Sequence, residues 1–168
     1  KWPLGVEFFD YLNGFIVGSY GGIYKTTDGG NNWIKKNYWA QTKLNKVRYI
    51  DSSNIIIVGN GGAILKSTDK GETWDGKPSG TSAHLNDCFF ANDSTGYIVG
   101  ASGTILFTSN KGDTWLSQYS GTNLDFNSVH FTDLKTGWIV GGGVILHTTN
   151  GGTTFIEDEN NFTQQKHF

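Results

Sequence analysis

Apolar and polar residues follow one another along this chain in short runs, and the same order of runs returns four times. The first run of each copy is apolar at every second position, as at Val6 and Phe8. The second is a continuous apolar run that ends in glycine, such as Ile57-Val58-Gly59. Alternation predicts a strand with one buried face, and a short continuous run predicts a strand buried on both faces. Two further runs follow, so each copy is predicted to form four antiparallel strands.

The copies are spaced by 41 residues, as the glycines that end the second run show. These glycines are Gly18, Gly59, Gly100 and Gly141. Four short strands in about 40 residues are typical of one blade of a propeller. We therefore predict an all-β fold, a β-propeller of four-stranded antiparallel blades with four 41-residue repeats. The blades are predicted at about residues 1–41, 42–82, 83–123 and 124–156, and a polar tail or linker at 157–168.

Four blades leave three arrangements open: part of a larger ring, a half-ring that dimerises, or a small closed ring. An open arc would expose blade faces rich in Ile, Val and Trp, which is an aggregation hazard. We therefore favour a piece of a larger propeller, or an assembly in which other chains cover the ends.

A repeated turn motif precedes the fourth strand of each copy, with Asp or Asn, then Gly, then an aromatic residue at fixed spacing. Its members are Asp28, Gly30, Trp33, Asp69, Gly71, Trp74, Asn110, Gly112, Trp115, Asn150, Gly152 and Phe155. An Asp or Asn that opens a tight turn accepts hydrogen bonds from backbone N–H groups two or three residues on. The glycine can take the left-handed conformation, and the ring is expected to pack between blades. Two copies have Asn, which cannot act as an acid or base, so we interpret the motif as structural.

This motif resembles the Asp-box, or BNR repeat, of sialidases and other propellers. The whole period is still more similar to the propeller repeats of the photosystem II stability and assembly factor family, over residues 1 to 156. The sialidase resemblance implies a site with three arginines, a Tyr nucleophile and a Glu, whereas Arg48 is the only arginine here. We therefore predict no catalytic residue and no enzyme within this chain. The photosystem family meets its partner through an arginine-rich surface, so that partner is not expected here either.

Composition narrows the partners further. The net charge is −2, which gives no reason to expect nucleic acid, and no apolar stretch approaches the ~20 residues of a membrane span. The histidines are scattered over different repeat positions, so we expect neither metal nor cofactor. The single cysteine, Cys88, lies in an apolar alternation and is predicted to be a buried thiol.

The predicted location is the cell surface, the periplasm or the medium. The chain has no methionine and begins at Lys1, as expected of a product processed from a longer one. A propeller followed by an acidic, Asn-rich segment also resembles secreted Bacteroidetes proteins that carry a sorting domain for type IX secretion, although that domain is not present here.

Binding in repeat proteins usually lies where the copies differ. The loops after the fourth strands differ most and carry Tyr38, Trp39 and Tyr119, which suit stacking on a sugar or a protein. One position of the first strand also varies, and it holds Glu7, Arg48, Phe89 and His130. If that strand lines the central channel, these side chains form a mixed polar ring. Drift at solvent-facing positions is the competing explanation for both sets.

We therefore predict a non-enzymatic binding or scaffold module that engages protein or glycan through variable loops or open blade faces. One alternative is a blade segment of a larger sialidase-like glycoside hydrolase whose catalytic residues lie outside this chain. A second is a structural subunit that self-assembles, with further blades of the same or another chain as its partner.

Overall fold

The computed structural model describes residues 2–36 and 41–158, which form four antiparallel sheets of four strands each. Blade 1 comprises β1 (Pro3–Phe8), β2 (Gly14–Gly18), β3 (Gly22–Thr26) and β4 (Ile34–Lys36). Blade 2 comprises β5 (Leu44–Tyr49), β6 (Ile55–Gly59), β7 (Ile64–Ser67) and β8 (Asp75–Gly76).

The other two blades repeat this plan. Blade 3 comprises β9 (Leu85–Phe90), β10 (Gly96–Gly100), β11 (Ile105–Thr108) and β12 (Leu116–Gln118). Blade 4 comprises β13 (Ser128–Phe131), β14 (Gly137–Gly141), β15 (Val144–Thr148) and β16 (Ile156–Glu157). Strands pair in chain order within each blade, which confirms the predicted all-β propeller architecture. The blade limits in sequence stay a prediction, and the predicted tail lies outside the described residues from position 159 onward.

The hydrophobic core lies between the blades rather than within one sheet. Alternate residues of each second strand face opposite neighbours, because successive side chains of a strand point to opposite faces. In β6, Ile55 and Ile57 pack towards blade 1, while Ile56 and Val58 pack towards blade 3. The same division yields three buried clusters, one at each junction between consecutive blades. Each junction is therefore the unit that stabilises the fold.

Because every cluster needs two blades, the outer faces of the first and last blades remain open. On blade 1 the exposed apolar side chains include Val6 and Phe8 of β1. On blade 4 they include Trp138, Val140 and Ile156, the last 72% exposed. Their counterparts at the internal junctions are buried, as Val47 and Val58 show.

The shorter fourth repeat differs from the others at one hairpin. In blade 2 the β6–β7 connection is a short 3-10 turn at Asn60–Gly62. In blade 4 the connection contains only Gly142 and Gly143, both with positive φ, between the paired residues Gly141 and Val144. Two glycines of this kind suit a two-residue hairpin, so one residue is lost without disturbing the flanking strands.

No helix in the part of the chain that the structure describes is long and apolar enough to span a bilayer.

Candidate functional site

The Asp-box turns are held by two side chains rather than one. In blade 1 the hydroxyl Oγ1 of Thr26 accepts the backbone N–H of Gly30 at 2.9 Å. The carboxylate Oδ1 of Asp28 accepts the N–H of Asn32 at 2.9 Å, and Oδ2 accepts the Asn32 side-chain amide. The main backbone donor is therefore four residues beyond the carboxylate, one residue further than predicted. The Asn32 backbone bond, followed by the bonds from the Asn32 and Thr26 side chains, lowers the pKa of Asp28.

The two Asn copies preserve the same turn. The Oδ1 atom of Asn110 accepts the N–H of Thr114 at 3.0 Å, and its Nδ2 donates to the Thr114 hydroxyl at 2.9 Å. In blade 2 the direction is reversed, because the Thr73 hydroxyl donates to Oδ2 of Asp69 at 2.7 Å. A hydroxyl can rotate to donate or accept, so Asp and Asn are interchangeable in this position.

Three of the four Asp-box glycines, Gly71, Gly112 and Gly152, receive a side chain from the preceding blade. We call this side chain the plug residue; the four positions are Phe15, Ile56, Tyr97 and Trp138. A Cβ on Gly71 would collide with the Phe15 ring, and one on Gly152 would lie 3.0 Å from the Tyr97 ring. Glycine is therefore required twice over, for its positive φ and for this close approach.

Charged pairs accompany two of the three plugs. Lys25 of blade 1 lies 2.6 Å from Glu72 of blade 2, and Lys66 of blade 2 lies 2.8 Å from Asp113 of blade 3. The lysine of each pair pairs along the sheet with the plug residue of its own blade. At the third junction the lysine position holds Phe107, which packs on Tyr97 with ring centroids 5.4 Å apart.

The first strands of the blades contact one another and align the four variable residues, which we call the central row. The Nη1 atom of Arg48 lies 3.0 Å from Oε1 of Glu7, and its Nε donates to the carbonyl of Cys88 at 3.4 Å. The rings of Phe89 and His130 lie 4.7 Å apart. The predicted ring residues are thus brought together in pairs, although the four blades form an arc rather than a closed ring.

Two members of the central row retain free hydrogen-bonding groups. Among the described residues, none bonds to Nη2 of Arg48 or to either ring nitrogen of His130. The Arg48 side chain is 27% exposed and His130 is exposed. These donors are therefore available to a ligand at the inner end of the blades.

A second row of polar residues lies beside the central row, and its members bond to one another. The buried carboxylate of Asp87 accepts the Ser128 hydroxyl at 2.7 Å and the Val129 N–H at 3.1 Å. Lys46 lies 3.5 Å from the same carboxylate. These groups tie blades 2, 3 and 4 together at their inner strands. Cys88, as predicted, is buried, and burial raises its pKa to about 12.

The predicted loop aromatics are not part of the central row. Tyr119 is 87% exposed and follows β12, the outermost strand of blade 3. Three strand spacings of about 4.8 Å separate that strand from β9. Tyr38 and Trp39 lie outside the described residues, so their place stays a prediction.

Sequence reasoning missed three sets of residues. The Ser or Thr hydroxyls that cap the glycines were visible as a constant position, and they are Thr26, Ser67, Thr108 and Thr148. The lysine–acid pairs both span 47 residues, one repeat plus six, which is a signal the sequence carries. The plug positions also recur every 41 residues, but four different side chains occupy them.

The described residues, 2–36 and 41–158, contain no group of three or more His, Cys, Asp or Glu side chains placed to hold a metal ion. They also bring together no Tyr–Glu pair with arginines of the sialidase kind, since Arg48 is the only arginine.

Comparison with known proteins supports the repeat assignment. The family model described as photosynthesis system II assembly factor YCF48 matches residues 1–78 and 77–159. No curated protein sequence matches the chain. The match to this family confirms the resemblance drawn from the repeats.

Several solved structures share the fold at low sequence identity. A YCF48 bound to D1 peptide is 15% identical with a TM-score of 0.62, over 95% of this chain and 82% of that one. YCF48 from Cyanidioschyzon merolae is 18% identical with a TM-score of 0.72, over 92% of this chain and 55% of that one. An ancestral GH74 enzyme is 17% identical with a TM-score of 0.77, over 91% of this chain and 23% of that one. The chain thus spans about half the length of the Cyanidioschyzon protein.

The family match corrects one prediction. A secreted, cell-surface or periplasmic location was expected from the acidic segment and the absence of methionine. YCF48-like factors are photosystem II assembly factors of cyanobacteria and chloroplasts and are not secreted proteins, so that expectation was wrong. The acidic segment resembled a linker by composition alone, and composition does not determine where in the cell a protein is located.

Proposed function

The chain belongs to the photosynthesis system II assembly factor YCF48 family, and from this premise we propose that it is a non-enzymatic protein-binding propeller. It holds an extended segment of a partner protein against the central row. The factors of this family are not enzymes, and a YCF48 structure contains a bound D1 peptide. A peptide is therefore the class of partner that we assign to the row. The scarcity of arginine argued against the family's partner in the sequence, whereas this proposal needs only the one arginine, Arg48, that the row contains.

One observation supports this site above the others: Arg48 and His130 face the inner end of the blades with unused donors. Glu7 fixes one side of the Arg48 guanidinium by an ion pair, so Nη2 is held in place rather than freely rotating. A guanidinium arranged in this way suits a carboxylate or a peptide carbonyl. Ordered donors reduce the entropy lost on binding.

The rest of the row defines the chemistry of the segment. Phe89 is half-buried between Arg48 and His130 along the row; its ring packs against His130 in a tilted arrangement and stacks on Phe131. It offers an apolar contact between two polar ones. We therefore expect a segment with an acidic side chain or a terminal carboxylate next to an apolar residue. The exposed Tyr119 is a separate candidate contact at the outer end of blade 3.

The alternative of a glycoside hydrolase segment receives less support. The GH74 structure shares the fold at 17% identity, and fold alone does not carry an activity. A glycan ligand likewise rests only on the exposure of Tyr119, whereas the peptide proposal rests on a set of aligned residues. Self-association through the open blade faces is a distinct proposal that involves other residues.

The experiment is a titration of fluorescently labelled D1 peptide with the purified chain, followed by anisotropy. We expect saturable binding, with Arg48→Ala weakening it at least tenfold because interface arginines often dominate binding energy. His130→Ala is expected to weaken it less. Lys135→Ala removes a positive charge from an exposed loop residue and is the matched control.

Two results would contradict the proposal. One is a wild-type chain that does not bind the peptide; the other is an Arg48→Ala protein that binds as tightly as wild type. Far-UV circular dichroism of every variant separates lost binding from lost folding. Loss with Lys135→Ala equal to that with Arg48→Ala would mean that net charge alone attracts the peptide.

A further inference from the structure

The junction between blades 1 and 2 lacks an ion pair that the junction between blades 2 and 3 has. At the latter, Nζ of Lys111 in the Asp-box turn of blade 3 lies 2.9 Å from Oδ2 of Asp51 in the β5–β6 turn. One repeat earlier these two positions hold Lys70 and Asp10. Among the described residues, the Asp10 carboxylate bonds only to groups of its own turn, and Nζ of Lys70 bonds to none.

A cavity of about 160 Å³ lies where this contact is open. The rings of Phe9 and Tyr49, with centroids 5.4 Å apart, form its apolar part, and Lys25 and Lys70 line it with their side chains. Sites that enclose a whole small molecule usually measure about 300–1,000 Å³, so this cavity suits one functional group and a short stem. Blades 1 and 2 form it together, at a junction where both partners are described.

The backbone of Lys70 is strained. It has φ of +62°, whereas the same position of the Asp-box turn holds Gly29 in blade 1 and Gly151 in blade 4. A side chain in the left-handed region crowds the following carbonyl oxygen. Lys111 has the same strain, at φ of +60°, but gains the ion pair with Asp51. Strain without a compensating contact is typical of a residue with a functional role.

The hydroxyl of Tyr49 is a second unused group of the cavity. The residue is half-buried, and its hydroxyl bonds to none of the residues that the structure describes. Burial, together with the charges of Asp10 and Glu7, raises the pKa of Tyr49 to about 12, so the hydroxyl is a donor at neutral pH. The equivalent residue of the next junction is Phe90, which packs there without a hydroxyl. Packing alone therefore does not require the hydroxyl of Tyr49.

The charges around the cavity do not balance. Lys25 and Lys36 both contact Glu72, at 2.6 and 2.7 Å, and the remaining charges are those of Lys70 and Asp10. Three positive charges against two negative ones leave one positive charge. The unbalanced charge is assigned to Lys70, because it is the lysine without a bonded partner.

The next junction carries the missing negative charge. The position of Ser52, which lines the cavity, holds Asp93 one repeat later. The bond to Asp51 and, after it, the charges of Asp51 and Asp93 raise the pKa of Lys111. The same lysine position thus has two carboxylates near it in one junction, while in the other Asp10 is turned to its own loop and a serine replaces the second acid.

We propose that the cavity between blades 1 and 2 binds a single carboxylate on a short apolar stem. The carboxylate pairs with Lys70 and accepts a hydrogen bond from Tyr49, and it takes the place of the charge that Asp93 contributes at the next junction. The stem packs on the Phe9 ring. A free short-chain monocarboxylic acid and an acidic side chain of a partner protein share this chemistry. The site does not depend on the peptide-binding proposal, since it uses Lys70 and not Arg48.

The experiment is a titration of the ¹⁵N-labelled chain with sodium butyrate at constant ionic strength, followed by NMR. We expect a saturable shift of the Lys70 amide, with a dissociation constant on the order of 1 mM for so small a ligand. Butyramide has the same shape without the charge and should bind at least about tenfold more weakly. The α-amide of N-acetylglutamic acid presents the carboxylate as a protein does. Tighter binding of this compound than of butyrate identifies a protein side chain as the ligand, and the reverse identifies a free acid.

The variant Lys70→Gly separates binding from folding. It removes the charge and relieves the left-handed strain, so we expect butyrate to bind about fivefold more weakly or worse while the urea midpoint rises. Lys111→Gly makes the same change one blade later and is the matched control, which should leave butyrate binding unchanged. Tyr49→Phe copies Phe90 and is expected to weaken binding about fivefold through the lost hydrogen bond.

Three outcomes would overturn the proposal. The first is equal binding of butyrate and butyramide, or of neither. The second is a Lys70→Gly protein that binds butyrate as tightly as wild type. The third is binding that Arg48→Ala abolishes and Lys70→Gly does not, which would place the carboxylate on the central row and support the peptide site instead. Far-UV circular dichroism confirms that each variant is folded.

Discussion

Two neighbouring junctions of this propeller use the same positions with different chemistry. Between blades 2 and 3 the plug is Ile56, and beside it the side chain of Lys66, 3% exposed, pairs with Asp113. Between blades 3 and 4 the plug is Tyr97, whose hydroxyl donates to the carbonyl of Gly151 at 2.9 Å. Beside it Phe107 replaces the lysine, and the Tyr97 ring stacks on Phe131 at 3.9 Å.

The difference shows which feature a junction needs. Both junctions keep a side chain over the Asp-box glycine, while one keeps an ion pair and the other does without it. The lysine head must be dehydrated before it pairs, and that cost offsets most of the Coulomb attraction. A large side chain over the Asp-box glycine is therefore the constant requirement of a junction. The ion pair is optional, and it needs both the lysine and the acidic residue.

The largest effect that tests this comparison is expected from Tyr97→Ala. It empties the plug position and removes an aromatic stack, which should lower the free energy of unfolding by about 3–5 kcal/mol. Trp138→Ala at the open end is expected to cost the isolated chain about 1 kcal/mol or less, because no blade covers it. Chemical denaturation at dilute concentration measures both. Equal losses would mean that the plug is not what stabilises a junction.

The strand pattern was predictable because it rests on local rules. Period-two alternation and Gly-rich turns each occur four times in the sequence, and the 41-residue interval separates all four copies, so a chance match in one copy does not change the assignment. The contacts between blades were harder to predict, because the plug position holds Phe15, Ile56, Tyr97 or Trp138. Three of the four are aromatic and all are large, which indicates burial, but only the folded junction shows that each internal one covers a glycine of the next blade.

In the candidate site, too, the residues were predictable from the sequence, whereas their contacts between blades were not. Sequence variation singled out Arg48 and His130, and the structure aligns them on the inner strands. The Glu7–Arg48 ion pair and the packing of Phe89 against His130 depend on side-chain directions across blades, which no single strand encodes. Peptide binding by the row stays a prediction.

The ion pair at the junction of blades 2 and 3 can be replaced in two steps. Asp113→Thr should cost about 1–2 kcal/mol, because Lys66 loses its nearest partner while its head is buried. Adding Lys66→Phe places at this position the residue type of Phe107, which occupies the lysine position of the next junction. We expect the double variant to regain most or all of the lost stability, because no buried lysine then lacks a partner. Thermal and urea unfolding of the two proteins measures the coupling. A double variant less stable than the single one would mean that Lys66 stabilises the junction by packing, independently of its ion pair with Asp113.

The tyrosine hydroxyl offers a smaller test of the same junction. Tyr97→Phe keeps the ring over Gly152 and removes the bond to the Gly151 carbonyl, so about 1 kcal/mol of stability should be lost. Burial raises the Tyr97 pKa to about 12, so the hydroxyl stays protonated over the usual range of pH. Tyr119→Phe, at an exposed hydroxyl, is the control and should leave the urea midpoint unchanged. If Tyr97→Phe lost as much stability as Tyr97→Ala, the ring would not be the main contribution of Tyr97 to the stability of the junction.

The smallest effect is expected from Asp69→Asn, which gives blade 2 the turn that blades 3 and 4 already use. Partial burial raises the pKa of Asp69, but the backbone and hydroxyl bonds from Thr73 outweigh it and lower the pKa to about 2. Because the folded pKa lies below the unfolded value of about 4, this stabilisation is present above pH 4 and is lost as pH falls to about 2.

The exposed carboxylate limits the difference at pH 7 to less than about 1 kcal/mol. The variant should therefore converge on wild type between pH 4 and pH 2 in urea unfolding. Asn110→Asp is the reciprocal control, since it should add the same acid-labile stabilisation to blade 3. If Asp69→Asn instead unfolds the chain at pH 7, the carboxylate has a role that the Asn-containing turns of Asn110 and Asn150 do not share.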